Sequence, residues 1–230
     1  MAYEILKPQL CRPVQGVLFD MDGVVLDSET LYNRFWMEAV QELGYPMTWE
    51  QTLGLRSLDH VRGQAYLTDC FGPGIDYNAA REIRIRRMDA WISARGVEPK
   101  TGIYALLDWL DCRKIPRAIT TSSPPERVKS HLTPLGLYGR FDRICSGYEV
   151  AHGKPEPDLY FFGAARLGLE PACCLALEDS PAGIESAHRA GCLAVVIPDQ
   201  DEPDRATLSR SFARADSLVD IMDLLMELNG

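Results

Sequence analysis

The sequence has no excess of positive charge and no long apolar stretch. Among 230 residues, 24 are Lys or Arg and 33 are Asp or Glu, so the formal net charge is -9 at pH 7. Such a chain is repelled by nucleic acid and by anionic membranes. No apolar run approaches the roughly 20 residues of a spanning helix, and residues 1–13 lack the basic-then-apolar order of a signal peptide. We therefore expect a cytoplasmic protein with neither kind of partner, and a monomer.

Cysteine pairs of the kind that bind zinc are absent as well. The seven cysteines are scattered, odd in number and never spaced as Cys-x-x-Cys, which excludes a zinc knuckle and a disulfide framework. Cys174 stands shortly before two acids and is a candidate nucleophile, but no basic residue lies near it in sequence to lower its pKa. We expect buried thiols in a reducing compartment instead.

An α/β pattern runs through the chain and is interrupted once. Short apolar, β-prone runs alternate with helical periodicity in residues 14–29 and 98–230, which predicts a Rossmann-like, doubly wound parallel sheet. Residues 30–97 show helical periodicity without a convincing strand, so we expect an inserted all-helical domain there. Residues 1–15 carry little information. The predicted strands are 17–19, 118–121, 142–145, 173–177 and 193–197.

Two further patterns concern helices. Ser123 and Glu126 stand at capping-box spacing around Pro125, so we expect Ser123 to cap the helix that follows. Ser180 precedes a proline and is the predicted cap of a later helix. Residues 81–87 alternate arginines with isoleucines, which predicts an amphipathic helix with a solvated charged face rather than a nucleic-acid surface.

Polar side chains gather where predicted strands end or loops face the same crevice. Because ligands bind outside the carboxyl ends of strands in open parallel sheets, these groups are expected to meet there. Carboxylates in one cleft repel one another unless a cation lies among them, and a set of oxygen ligands without His or Cys suits Mg²⁺. The groups are Asp20 and Asp22, Thr121 and Ser122, Lys154, and Glu178 and Asp179.

The predicted metal site assigns a role to each acid. Asp20 and Asp179 are expected as side-chain ligands, Asp22 through its backbone carbonyl, and Glu178 either directly or through water. With charge neutralised, Asp20 can attack phosphorus in line and form an aspartyl-phosphate. Asp22 then protonates the leaving alkoxide and later deprotonates the attacking water.

A phosphate dianion has its expected partners on the other side of the cleft. Thr121 offers a hydroxyl, the backbone amide of Ser122 follows it, and Lys154 offers an ammonium group. Lys154 is the last lysine of the chain, so this positive charge has few substitutes. An ammonium group beside the phosphoryl oxygens neutralises their negative charge, which is the main electrostatic requirement of phosphoryl transfer.

These motifs together resemble a known family. Asp20-Met21-Asp22-Gly23-Val24, Thr121-Ser122, Gly153-Lys154-Pro155 and Leu177-Glu178-Asp179-Ser180 resemble, in order, the four signature motifs of the haloacid dehalogenase-like hydrolase superfamily. The helical insertion resembles the cap of the branch that contains β-phosphoglucomutase and many sugar-phosphate phosphatases. The resemblance implies a Mg²⁺-dependent enzyme acting on a small phosphorylated metabolite, with a mobile cap that closes over a Rossmann-like core and selects the substrate.

Differences between this chain and individual branches of the family reduce the number of reactions that it could catalyse. The second acid, Asp22, favours phosphate chemistry over dehalogenation. Phosphonate-cleaving relatives use a cap lysine, and residues 30–99 contain no lysine. Relatives resembling β-phosphoglucomutase carry a histidine where this chain has Tyr32, and their cap lysine is also missing. We therefore expect a phosphatase, with a phosphomutase as the alternative.

One alternative function and one candidate substrate contact remain to be named. A catalytically silent binding protein of the same fold would ordinarily have lost an acid or the lysine, and none is lost here. Arg56 stands in a break between cap helices, where related caps place a loop that faces substrate, and it is a candidate substrate contact.

Overall fold

The computed structural model describes residues 3–55, 58, 60–199 and 202–230. The chain divides into two compact units. The first, called here the core unit, consists of Met1–Asp27 and Glu98–Gly230. The second, called the helical unit, consists of Ser28–Val97.

A seven-stranded sheet lies in the described part of the core unit, in the order β1-β7-β6-β5-β2-β3-β4. Neighbouring strands run parallel, except that β1 is antiparallel to β7. The strands are β1 Tyr3–Ile5, β2 Gly16–Phe19, β3 Arg117–Thr121, β4 Arg143–Ser146, β5 Cys174–Glu178, β6 Leu193–Val196 and β7 Ala213–Ala215.

Helices account for most of the remaining described residues. The helical unit contains α1 Glu29–Glu42, α2 Trp49–Leu53, α3 His60–Phe71 and α4 Tyr77–Arg95. The core unit contains α5 Ile103–Arg113, α6 Pro125–Leu132, α7 Asp158–Leu167, α8 Pro181–Ala190, α9 Arg205–Arg210 and α10 Leu218–Asn229. None of the described helices has the length and apolar character needed to cross a bilayer.

The centre of the sheet fixes where the acidic motif lies. Every residue of β2 is buried, as expected of an apolar strand with helices on both faces. Phe19 pairs with Leu177 on one side and with Ile119 on the other. The strands therefore end in register, so Asp20, Thr121 and Glu178 share one edge of the sheet. This confirms the predicted doubly wound parallel fold.

The helical unit has a core of its own. Trp36 and Tyr77 pack with ring centroids 5.2 Å apart, within a cluster that includes Val40 and Leu67. Arg84, which was expected on a solvated face, is only 6% exposed. Its guanidinium lies over the rings of Tyr32 and Trp36, so the expected solvation of that helix face is wrong at this position.

Other differences from the sequence-based expectations lie at the edge of the sheet and at one helix start. Strands β1 and β7 and helix α9 were not anticipated, because strands of three residues are too short to show alternation and a helix of six residues is too short to show helical periodicity. The predicted cap Ser123 is wrong: the N-cap of α6 is Pro124, with no side-chain capping bond. Ser180 does cap α8, and its hydroxyl accepts from Gly183 N.

Candidate active site

Asp20 is the first residue beyond β2 and lies almost entirely out of solvent. Its backbone N–H donates to the carbonyl of Leu177 over 3.0 Å, which ties the acid to the end of β5. Lys154 Nζ donates to Asp20 Oδ1 over 2.5 Å. Burial raises the pKa of Asp20 well above its usual value, and the attraction of Lys154 offsets only part of this because other acids are close.

Lys154 connects the ends of three strands. Besides Asp20, its Nζ donates to Glu178 Oε1 over 2.6 Å and to the carbonyl of Thr120 over 3.0 Å. An ammonium group has three protons, so these three bonds use all of them. Burial alone would lower the pKa of Lys154, but the two carboxylates outweigh it and the pKa is raised. The lysine is therefore a permanent positive charge in the site.

Glu178, the last residue of β5, is completely buried. The Tyr160 hydroxyl donates to Glu178 Oε1 over 2.5 Å, and Ser180 Oγ donates to Oε2 over 3.2 Å. The backbone of Gly183 presses against the same group, since a Cβ there would lie 1.9 Å from the carboxylate. Both oxygens thus have donors, as a buried carboxylate requires.

Asp22 accepts a hydrogen bond from the hydroxyl of Ser123, which two neighbouring residues hold in place. Ser123 Oγ donates to Asp22 Oδ2 over 3.1 Å. Ser123 is itself fixed at two points: its N–H donates to Thr121 Oγ1 over 3.0 Å, and its carbonyl accepts from Ser146 Oγ over 2.8 Å. The ends of β3 and β4 therefore determine where the Asp22 carboxylate is held.

Three acids lie close enough to share a cation. Carboxylate oxygens of Asp20, Glu178 and Asp179 all fall within 4.8 Å of one another. Asp179 is brought close by Gly23, which has φ +88° and would place a Cβ 2.3 Å from Asp179 Oδ2. Glycine is required there for conformation and for space.

The structure places most of the predicted site residues together. Asp20, Lys154 and Glu178 form one hydrogen-bonded group, and Asp22 and Thr121 are joined through Ser123. Ser122 is exposed at the same strand end. The candidate substrate contact Arg56 lies outside the described residues.

Two contacts of this site were missed by sequence reasoning. Tyr160 stands in an apolar helical pattern that predicts core packing, and the available signal was that a buried phenol needs a hydrogen-bond partner. Ser123 was assigned to helix capping because its spacing to Glu126 fits that motif. Ser123 instead lies one residue before the N-cap Pro124, and its hydroxyl donates to Asp22.

Within the core unit, a mostly parallel sheet thus presents two acids after β2, a lysine from a later loop, and two further acids at the end of β5. This is the arrangement expected from the signature motifs, and the family model "haloacid dehalogenase-like hydrolase" matches residues 14–191. The chain belongs to that family of hydrolases.

Individual relatives and a solved structure agree with this assignment. Hexitol phosphatase A of Escherichia coli strain K12 is 32% identical over 189 residues, or 80% of this chain and 82% of that protein. Fructose-1-phosphate phosphatase YqaB of the same strain is 30% identical over 187 residues, or 79% and 95%. A crystal structure of a HAD family hydrolase from Deinococcus radiodurans R1, with bound phosphate and sodium, has a TM-score of 0.79 and 28% identity, covering 94% of this chain and 96% of that one.

Proposed function

We propose that this protein is a Mg²⁺-dependent phosphatase that hydrolyses small phosphorylated metabolites, sugar phosphates among them, through an aspartyl-phosphate at Asp20. The observation that carries the proposal is the buried contact of Lys154 with both Asp20 and Glu178. This arrangement keeps a positive charge beside the proposed nucleophile without access to water, where it acts most strongly on a transferring phosphoryl group.

The acids at this edge of the sheet fit a magnesium ion. Their donors are all oxygens, and those of Asp20, Glu178 and Asp179 lie within 4.8 Å of one another. We assign Asp20 and Asp179 as side-chain ligands and Asp22 as a ligand through its backbone carbonyl. Glu178 already accepts hydrogen bonds from Lys154, Tyr160 and Ser180. We therefore propose that Glu178 contributes negative charge to the site and binds the ion more weakly than Asp20 and Asp179 do. When bound, the ion neutralises phosphoryl charge.

In the first half of the proposed reaction, a carboxylate oxygen of Asp20 attacks phosphorus and the bond from phosphorus to the ester oxygen breaks. Lys154 holds Asp20 through Oδ1, which orients the carboxylate for in-line attack. The hydroxyl of Thr121 and the backbone amide of Ser122 bind phosphoryl oxygens. Asp22, in its protonated form, gives its proton to the leaving alkoxide.

In the second half, Asp22 is a carboxylate and accepts a proton from water. That water attacks the phosphorus of the aspartyl-phosphate, the bond from phosphorus to the Asp20 oxygen breaks, and inorganic phosphate is released. The chain returns to its starting state with Asp20 free and Asp22 protonated. The hydrogen bond from Ser123 to Asp22 Oδ2 orients the carboxyl group for both proton transfers.

Substrate selection is assigned to the helical unit. We propose that residues 30–97 act as a cap on a catalytic core made of residues 14–29 and 98–230, and that Arg56 contacts the substrate. The relatives named hexitol phosphatase A and fructose-1-phosphate phosphatase YqaB support sugar phosphates as the substrate class. The absence of lysine from residues 30–99 and Tyr32 in the place of a histidine favour hydrolysis over mutase chemistry.

The test is a panel of sugar and other metabolite phosphates, assayed for released phosphate with Mg²⁺ present. Asp20→Asn, which keeps the shape of the side chain, should abolish turnover while the circular-dichroism spectrum stays that of the wild type. Phosphate release by the Asn variant at the wild-type rate would contradict the aspartyl-phosphate. Conversion of a sugar 1-phosphate into its 6-phosphate isomer, without release of phosphate, would favour the phosphomutase.

A further inference from the structure

Tyr160 is a buried polar side chain to which the proposed reaction assigns no part. It lies on α7 with no exposed surface, and its hydroxyl donates to Glu178 Oε1. A buried phenol needs a hydrogen-bond partner, and a backbone carbonyl satisfies that need in most cores. Here the partner is a carboxylate of the proposed catalytic cluster.

The phenol and the lysine converge on one oxygen. Lys154 Nζ and the Tyr160 hydroxyl both donate to Glu178 Oε1, over 2.6 and 2.5 Å. The same Nζ lies 5.4 Å from the centroid of the Tyr160 ring. Tyr160 therefore touches the carboxylate through its hydroxyl and the ammonium group through its ring face, which attracts cations.

The remaining contacts of Glu178 leave its carboxylate little freedom. Ser180 Oγ donates to Oε2 over 3.2 Å, and the backbone of Gly183 leaves no room even for a methyl group beside the carboxylate. Rotation of Glu178 about its last side-chain bond would break the hydrogen bond from Tyr160. The same rotation would move Oε1, the oxygen that accepts from Lys154. The phenol hydroxyl thus fixes the angle at which Glu178 presents Oε1.

Lys154 transmits this constraint to the nucleophile. Its Nζ joins Glu178 Oε1 to Asp20 Oδ1, so a shift of Oε1 moves the charge that orients Asp20. Small misplacements of reacting groups are costly in rate, because attack requires alignment as well as proximity. A hydroxyl that never reaches the substrate can in this way affect the chemical step.

We propose that Tyr160 is a positioning residue: its buried hydroxyl fixes the Glu178 carboxylate and thereby holds Lys154 against Asp20 in the geometry of phosphoryl transfer. The inference rests on the proposed phosphatase function and deepens it.

The test compares Tyr160→Phe, which removes only the hydroxyl, with Tyr104→Phe. Tyr104 lies on α5, is 42% exposed, and donates its hydroxyl to the carbonyl of Leu135, so the control also loses one hydrogen bond. Steady-state kinetics on para-nitrophenyl phosphate at saturating Mg²⁺ give kcat and KM. Calorimetric titration with orthovanadate and Mg²⁺ measures affinity for a mimic of the transferring phosphoryl group without requiring turnover.

For Tyr160→Phe we expect kcat to fall by about tenfold, the size of effect of one hydrogen bond to a charged group, while KM changes by less than about twofold. Vanadate affinity should fall by a factor similar to that of kcat. Tyr104→Phe should match the wild type in all three measurements. Tyr160→Met is a second variant without a hydroxyl and should show the same loss, which keeps the test valid if the phenylalanine variant does not fold.

Three results would overturn the proposal. A kcat of Tyr160→Phe within about twofold of an active wild type would show that the hydroxyl serves packing alone. An equal loss in Tyr104→Phe would show a general effect of removing a hydroxyl. A wild type that neither turns over phosphate esters nor binds vanadate would overturn the proposed function first, and this inference with it.

Discussion

Ser123 Oγ donates a 3.1 Å hydrogen bond to Asp22 Oδ2, and Ser123 is in turn fixed by Thr121 and by Ser146. The hydroxyl of a residue expected to cap a helix is therefore committed to an acid 101 positions away in the chain. In the proposed reaction that acid transfers protons in both halves, so its orientation bears directly on the rate.

Ser123→Ala removes this hydrogen bond and leaves the backbone contacts of residue 123 in place. We expect kcat on para-nitrophenyl phosphate to fall roughly three- to tenfold, the usual size of effect when one hydrogen bond is lost. Ser130→Ala is the matched control, because Ser130 Oγ bonds to the carbonyl of Arg127 on the exposed side of α6. An unchanged kcat in Ser123→Ala would mean that Asp22 is oriented by other groups.

Lys154→Met leaves two buried carboxylates without their shared positive charge. Removal of one partner from a buried ion pair costs about 3–5 kcal/mol of unfolding free energy, and we expect a loss of that size in urea unfolding at neutral pH, together with loss of turnover. Lys129→Met, at an exposed position of α6, should change neither quantity. Wild-type stability in Lys154→Met would show that Asp20 and Glu178 do not depend on the lysine charge.

Gly183→Ala tests how closely α8 packs against Glu178. Alanine normally stabilises a helix interior by about 1 kcal/mol over glycine, but here the new Cβ would lie 1.9 Å from the Glu178 carboxylate. We expect a loss of roughly 1–3 kcal/mol in unfolding free energy and reduced kcat. Gly139→Ala, where a Cβ meets nothing within 4 Å, is the control. A Gly183→Ala protein as stable and active as wild type would contradict this close packing.

Addition of Mg²⁺ should stabilise the folded protein. A ligand at about 100 times its Kd contributes about 2.7 kcal/mol, which for a chain of this size corresponds to a rise in Tm of roughly 5–10 °C. Thermal melts after treatment with EDTA, with and without added MgCl₂, measure this shift. Asp179→Asn should remove most of it, whereas Asp223→Asn, at an exposed position of α10, should keep it. The same shift in both variants would place the ion elsewhere.

Buried thiols predict how stability changes in alkali. Burial raises the pKa of Cys145 to about 11 and that of Cys174 to about 12. Between about pH 9 and these values, the folded chain keeps protons that the unfolded chain releases, so the unfolding free energy falls as pH rises. Urea unfolding at pH 8, 9 and 10 measures the slope.

Cys145→Ala should make that slope shallower, and Cys112→Ala, at an exposed position, should leave it unchanged. Equal slopes in both variants and the wild type would contradict a buried, protonated Cys145. The same pKa shifts support the expectation that Cys174 is packing rather than a nucleophile, because a thiol with a raised pKa is a poor nucleophile at neutral pH.

The sequence alone determined the fold class and the positions of the acidic motifs. A short apolar run that ends in Asp20 predicts a buried strand, and alternation with helices predicts a parallel sheet whose carboxyl ends share an edge. Strand β2 was anticipated to within a residue, because a short apolar run that ends in polar residues specifies a buried strand from its local pattern. Asp20 and Glu178 were expected to meet because both stand at strand ends, and Lys154 was expected to join them because its loop faces the same crevice.

Only the tertiary structure decided which donors those carboxylates receive. The hydroxyl of Tyr160 is 18 positions from Glu178, and that of Ser123 is 101 positions from Asp22. Nothing in the local pattern distinguishes either from a core residue or a helix cap, because a hydrogen bond depends on distances and angles that arise only after the elements pack. The acids at the end of β2 were therefore determined by sequence, and the groups that orient them by the fold.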